Sequence, residues 1–217
     1  MGIRDLGGGR AVHLPVIDDE LGAGELDGEL ELQGVRLEGG EHGGLVGEGT
    51  IEGSVLNGVD LSAAKLNPLT LSDTRLRQVD LSNASLQQVV ARRTELRSCR
   101  AIGVRLSLDL AADLSIVDCR LDYASIHVEK VKGIAVFERC SFREATISGD
   151  LSNTIFLDCD FASTEFRVRK ATRCDLRTSR LNDARGLLTL KGATISTEQV
   201  VGASAMIASE AGLIVAD

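Results

Sequence analysis

An aliphatic or small residue returns at every fifth position from Leu56 to Ile126: Leu56, Leu61, Leu66, Leu71, Leu76, Leu81, Leu86, Ala91, Leu96, Ala101, Leu106, Ala111, Ile116, Leu121 and Ile126. Two residues before nearly every one stands a second small or apolar side chain, among them Val59, Ala64, Val79, Ala84, Val89, Cys99 and Val104. On a helix a step of five rotates by about 140°, which would smear the series around the whole surface. On a flat strand an odd step sends successive members to opposite sides. What remains is a short extended piece with two inward residues, a bend, and the next inward pair. Four bends close a coil, and stacked coils pair backbone to backbone about 4.8 Å apart around one aliphatic core.

The residues between the beats are mostly polar, as an outer surface requires: Ser62, Asn67, Ser72, Asp73, Arg77, Gln78, Ser82, Asn83. The motif is clearest at Val79-Asp80-Leu81-Ser82-Asn83 followed by Ala84-Ser85-Leu86. This resembles the pentapeptide-repeat family. The resemblance implies an all-β, right-handed quadrilateral β-helix of about eight coils over residues 21–186, with residues 1–20 as a lead-in or cap. The expected core columns include Leu61, Leu66, Leu71, Leu76, Leu81, Leu86, Phe142, Phe156, Phe161 and Phe166.

The beat has irregularities. It is faint from Leu21 to Val46, where Gly39-Gly40-Glu41-His42-Gly43-Gly44 suggests a loosened turn. One residue is added between Val131 and Phe137, and one is dropped between Ile147 and Leu151. All five Phe are column residues of the later half, so the core there is expected to be widest or best filled. On one face the nominal inward partners are Asp109, Glu129 and Arg169. Two carboxylates one coil apart beside an arginine would suit acid/base chemistry. The alternative is a slip of one residue that brings Leu108, Val128 and Val168 inward and leaves the charges outside, because unpaired buried carboxylates are costly.

After Ile195 the beat stops. Ser196-Thr197-Glu198-Gln199 has the form of a capping box, and a helix from about Thr197 to Ala211 is expected, with Val200, Ala203, Ile207 and Ala211 on one stripe and Gly212 as its stop. Leu213-Ile214-Val215 follows as an apolar tail. Residues 187–217 thus read as a capping helix with its tail. In the fluoroquinolone-resistance members of the family such an element makes a dimer contact, so resemblance implies a homodimer through this end; the other reading is a helix that only caps its own core.

Composition narrows the chemistry. The five cysteines, at 99, 119, 140, 159 and 174, fit neither CxxC pairs nor metal-ligand spacing, and each falls in a small inward slot. A buried ladder of small side chains is the expectation, with no metal and no cofactor. His13, His42 and His127 lie far apart, and no catalytic motif accompanies them, so the protein is not expected to be an enzyme. The start of the chain lacks a signal-peptide core and no run of eighteen apolar residues occurs, which points to a cytoplasmic protein without membrane contact.

Charge is unevenly spread. Residues 1–55 hold 12 acidic and 3 basic side chains, while 56–185 hold 17 acidic and 20 basic. The best-known activity of the family is mimicry of duplex DNA, in which an acidic rod occupies the DNA saddle of gyrase, and the acidic first coils are the part that matches it. Against it, a corner between two faces stacks Arg77, Arg97 and Arg177 beside Arg100, Arg120 and Arg180, interrupted by Asp60, Asp80 and Asp160. This stripe suits an acidic protein partner, or else is a solvated face with its charges paired along the ladder; direct nucleic-acid binding is not expected. The functional expectation is a non-catalytic protein-binding rod, in its sharper form a regulator or protector of DNA gyrase or another type II topoisomerase, and alternatively a structural scaffold with an unrelated partner.

Overall fold

Why a five-residue beat closes into a coil is visible in the backbone of the computed structural model, which describes residues 2–18, 20–26 and 30–214. At successive corners one residue adopts the left-handed conformation: Asp73, Gln78, Asn83, Gln88, Arg93, Ser98 and Gly103 stand at five-residue steps, with φ between 43° and 69°. Asn, Asp and Gly tolerate that region better than bulky residues do. Each such residue lies two after a core residue and turns the chain through one corner, so the next extended piece faces a new side. Strands one coil apart pair in parallel, Leu66 with Leu86, Leu71 with Ala91 and Leu76 with Leu96.

The result is a β-solenoid of about seven turns, mostly β at 49%. That is slightly shorter than the sequence count of about eight. At the C-terminal end the last coil is tied by single bridges such as Glu165 to Arg185 and Asp175 to Thr194 rather than by strands. The four sides are named here by their column residues. Three of them, the Leu66, Leu71 and Leu76 faces, are traversed by continuous strands: Lys65–Arg77, Ser85–Arg97 and Arg105–Val117. The fourth, the Leu61 face, is built of tight turns joined by single-residue bridges at Asp60, Asp80, Arg100, Arg120, Ser141, Asp160 and Arg180.

The corner between the Leu66 and Leu71 faces explains the anomalous slots. Leu108, Val128 and Val168 occupy the corner position, and none takes a positive φ. An aliphatic residue resists the left-handed region, so the chain bulges instead, and the register shifts on both sides of Leu108. All three side chains are buried, while Asp109, Glu129 and Arg169 are exposed. Register irregularities also stand at the added residue, against Ala112–Leu114, and at the dropped one, Gly149–Asp150.

The core runs the length of the rod and its filling changes midway. Leu61, Leu66, Leu71, Leu76, Leu81 and Leu86 are all buried, yet between Leu30 and Leu121 a wholly apolar cavity of about 60 Å³ remains. Further along, the phenylalanines fill the axis. Phe137 stacks on Phe156 at 5.1 Å and Phe142 on Phe161 at 5.0 Å, while Phe142 meets Phe156, and Phe156 meets Phe161, edge-on. Phe166 continues the line 5.3 Å from Phe161. The rings make two interleaved columns with the offset contacts that aromatic quadrupoles favour. In the first coils Val46, expected on the beat, is 68% exposed; it pairs with Lys65, an outward residue, and Gly47 stands opposite Leu66.

The N-terminal segment, expected over residues 1–20 as a lead-in or cap, contains a hairpin that no periodicity indicated. Strands β1 (Ile3–Asp5) and β2 (Ala11–His13) form an antiparallel hairpin, a two-stranded sheet separate from the solenoid. It lies on the outside of the Leu76 face, where Val12, Val136 and Ile155 make a small second core with Leu6, Leu14, Ile134 and Leu157 around it. From there the chain runs back along the rod to enter the first coil.

At the C-terminus the capping box is present: Ser196 accepts from the Gln199 amide and the Gln199 side chain accepts from the Ser196 amide. The single helix expected over 197–211 is instead two, α1 (Thr197–Gly202) and α2 (Ser204–Glu210), broken at Ala203. Gly202 weakens a continuous helix by about 1 kcal/mol relative to alanine, and Ala203 turns inward, 8% exposed. Val215 lies outside the described residues.

Candidate functional site

The parallel ladder places the outward side chains of neighbouring coils about 4.8 Å apart, so each charge meets the residue one coil on. Arg77 stands in register with Arg97, and Arg100 bridges to Arg120. These four arginines share the corner between the Leu76 and Leu61 faces. The other two members of the sequence-derived stripe are not with them. Between Arg97 and Arg177 the same column holds Val117, Glu138 and Leu157, and between Arg120 and Arg180 it holds Ser141 and Asp160.

Several of the arginines are answered. Arg97 lies 2.9 Å from Glu95, which Arg75 also holds at 2.6 Å, and the Glu95 side chain is only 6% exposed. Burial pushes the Glu95 carboxyl up, but the hydrogen bonds from Arg97 and Arg75 outweigh it and hold the group below its usual range. Arg120 meets Asp122 at 3.3 Å, Arg177 meets Asp175 at 2.8 Å and Arg180 meets Asp160 at 3.4 Å. Arg77 and Arg100 are exposed and form no ion pair among the described residues. The corner therefore carries two uncommitted guanidinium groups on a rigid, flat support.

The first coils carry the opposite charge. Glu31, Glu38, Glu41, Glu48 and Glu52 are all exposed. Among the described residues only Glu38 of these meets a partner, Asn57 at 2.6 Å with Arg36 at 3.6 Å.

The slots considered for acid/base work hold surface charges. Arg169 reaches Glu129 at 3.2 Å across the coil of Gly149, and His127 lies 3.5 Å from the same carboxylate. The Glu129 carboxyl is held low, chiefly by Arg169. Ser148 meets His127 Nδ1 at 3.0 Å and also stands 3.2 Å from the Ile126 carbonyl, to which its hydroxyl donates. His127 is half-exposed. His13 pairs with Asp113 at 3.0 Å on a different face.

All five cysteines are free and buried. Cys99, Cys119, Cys140 and Cys159 follow one another up the inner wall, and each thiol leans on a backbone carbonyl. Hydrogen bonding to Cys140 and burial push the Cys119 thiol up to about 12, and burial, with the neighbouring Asp175 charge, does the same for Cys174. Thiols so far from ionisation are packing groups rather than nucleophiles. Among the described residues no cluster of three or more His, Cys, Asp or Glu is arranged to hold a metal ion. No helix among them is long and apolar enough to cross a membrane.

The proposed dimer stripe is split by the break between α1 and α2. Ala203 is buried and Ile207 half-buried, whereas Val200 and Ala211 are exposed. Gln199 anchors the cap by donating to the carbonyls of Leu176 and Ser179, and Glu210 accepts from the amides of Gly186 and Leu188. Val201, Leu213 and Ile214 remain outside at 69%, 65% and 96% exposure.

Comparison with known proteins agrees with this geometry. The model of the family described as pentapeptide repeats matches residues 51–83 and 70–107, in eight copies. No curated protein matches the chain. Among solved structures, a trypsin-treated form of QnrB1, a plasmid-mediated fluoroquinolone resistance protein, is 18% identical over 94% of this chain and 100% of its own, with a TM-score of 0.50. Full-length QnrB1 is 21% identical over 84% of this chain and 90% of its own, at 0.45. HetL, a pentapeptide-repeat protein involved in heterocyst differentiation regulation from the cyanobacterium Nostoc, is 17% identical over 76% and 86%, at 0.37. At these identities the likeness concerns the fold alone.

Proposed function

We propose that this chain, a pentapeptide-repeat protein, is a non-catalytic protein-binding rod. The observation that supports it best is the arginine corner. Arg77, Arg97, Arg100 and Arg120 stand in register on adjacent coils, and two of them have no ion-pair partner among the described residues. A rigid ladder spends little conformational entropy on docking, and charge arranged in register favours one partner and one orientation. Arg77 and Arg100 suit carboxylates on an acidic protein surface. Their neighbours Arg97 and Arg120 are already engaged by Glu95 and Asp122, which leaves little free charge for a phosphate backbone.

The sharper form of the reading comes from the family resemblance: binding to DNA gyrase or another type II topoisomerase as a mimic of duplex DNA, with protection against quinolone-type inhibitors. Its support on this chain is the set of exposed glutamates of the first coils. The arginine corner favours the second reading, a scaffold for an unrelated acidic partner, because a uniformly acidic mimic has no use for it. A gyrase supercoiling assay with the protein titrated in, with and without a fluoroquinolone, separates the two. Inhibition or protection at micromolar protein or below, abolished by Glu31→Lys with Glu48→Lys and Glu52→Lys, supports the topoisomerase form. Folded protein without effect at high concentration removes it and leaves the scaffold, for which Arg77→Glu with Arg100→Glu should abolish partner capture.

A further inference from the structure

The N-terminal hairpin sits on a line of carboxylates. Arg4 pairs with Glu138, Arg10 with Asp175 at 2.8 Å, and His13 with Asp113 at 3.0 Å. Further along, the Val16 amide donates to Asp73 at 3.0 Å. Those four acids come from four different coils, and each also faces an arginine of the rod or lies near one: Arg93 beside Asp73 and Asp113, Arg139 beside Glu138, Arg177 beside Asp175. Between the acids the rod offers Val136 and Ile155, which would be outward-facing were Val12 not against them; all three are 1% exposed or less. In earlier coils the positions equivalent to Val136 are Arg75, Glu95 and Ser115. The outer wall has thus changed from charged to aliphatic where the hairpin lies.

The hairpin is held in a way that permits release. It is a separate two-stranded sheet, and its own hydrogen bonds, Leu6 to Arg10 and Leu14 to Gly2, close within it. Its three side-chain tethers are partly exposed, with side-chain exposures of 29% for Arg4, 31% for Arg10 and 40% for His13. Ser115, next to Val136 in the same outward column, is buried with an unpartnered hydroxyl. Lifting the hairpin breaks no ladder hydrogen bond of the solenoid.

We propose that residues 2–16 are an intramolecular cover over a docking face, and that the face receives an extended segment of another protein in which basic and aliphatic residues alternate. The partner's chemistry is read from the cover itself, which presents Arg10, Val12, His13 and Leu14 to an acid-rimmed aliphatic strip. An alternating basic segment supplies the same pairs in trans, and competition between cover and partner sets the apparent affinity. This face is distinct from the arginine corner and does not depend on it.

The test is fluorescence anisotropy with a fluorescein-labelled synthetic peptide of residues 2–16 as the probe. Full-length protein carrying Arg4→Glu and Arg10→Glu, its melting followed by circular dichroism, is expected to bind the probe at least tenfold more tightly than the unaltered chain. A peptide of the same composition with its alternation scrambled is expected not to bind. Hydrogen exchange at the Val12 amide reports whether the cover has lifted; if it has not, the chain lacking residues 2–16 replaces the double variant and its affinity decides. Equal affinity in covered and uncovered chains overturns the proposal, as does equal binding of the scrambled peptide. Dimerisation of the uncovered full-length chain by hairpin exchange, without probe binding, overturns it in favour of a second copy as the occupant.

Discussion

The two halves of the rod share one backbone and differ in almost everything attached to it. From Leu30 to Leu121 the core is mainly leucine with alanine at Ala91, Ala101 and Ala111, it retains a cavity of about 60 Å³, and the N-terminal segment meets its outer wall through polar contacts at Asp73 and Asp113. From Phe137 to Phe166 the axis is packed with rings at 5.0–6.0 Å and the outer wall of one face is closed by the hairpin. A stacked solenoid is stabilised chiefly by neighbour contacts, so its stability need not be uniform along the axis. The comparison teaches that filling, rather than topology, sets where this rod is firm. The hairpin adds a second effect: it joins Asp113, Glu138 and Asp175, which no nearest-neighbour contact links.

The largest expected effect is from Phe161→Ala. Phe161 is fully buried between Phe142 and Phe156, and its loss should cost about 3–5 kcal/mol in urea unfolding. A cost below about 1 kcal/mol would mean that the aromatic column is loosely packed and the contrast between halves is false. The contrast is sharpened by one substitution made in both. Ala101→Leu points into the cavity and is expected to stabilise by about 0.5–2 kcal/mol. Ala171→Leu, at a fully buried position beyond the phenylalanines, should overpack and destabilise by about 1–3 kcal/mol. Equal signs at the two sites would break the comparison.

Acid gives a smaller, directional effect. Hydrogen bonds from Arg177 and then Arg10 hold the Asp175 carboxyl well below its usual range. At Asp73, burial pushes up but is outweighed by Arg93 and the Val16 amide, so that group is lowered too. Both folded values lie below the unfolded one, about 3.9, so their contribution is fully present above that pH and is lost as pH falls through the folded values. Thermal melts below about pH 4 should therefore fall, and Arg10→Gln should make the fall shallower by removing part of the Asp175 shift. An Arg10→Gln chain with an unchanged acid limb would show that Arg10 does not bear on Asp175.

Much of this fold is written in the order of residues, because a five-residue beat has one economical solution. The leucine columns, the placement of the phenylalanines, the buried cysteines and the capping box at Ser196 all follow from local spacing. The corner at Leu108 was legible as well, since Leu108, Val128 and Val168 stand beside charges that do not belong in a core. The hairpin was not, because its contacts join residues as distant as Arg10 and Asp175, and no periodicity connects them. A signal for it did exist: Val136, Ile155 and Leu157 are aliphatic at positions where other coils place polar side chains, and an aliphatic outer wall needs a cover. Of the arginine stripe, the sequence order gave the register of Arg77 with Arg97 and of Arg100 with Arg120. The acids that engage Arg97 and Arg120, two residues away along the chain, were left out of account. The break at Ala203 was masked by an unbroken helical stripe through Val200 and Ile207.

Native-state hydrogen exchange along the whole ladder tests the central claim most directly, because it reads the free energy of local opening residue by residue. The account predicts that amides of the strands Val131–Glu138, Thr154–Leu157 and Glu165–Lys170 exchange most slowly, and that the hairpin amide of Val12, whose release breaks no ladder hydrogen bond, exchanges ahead of them. Those of Val46–Glu52 should exchange fastest among the solenoid strands. Uniform protection along the rod, or slowest exchange in the leucine-lined coils, would contradict it.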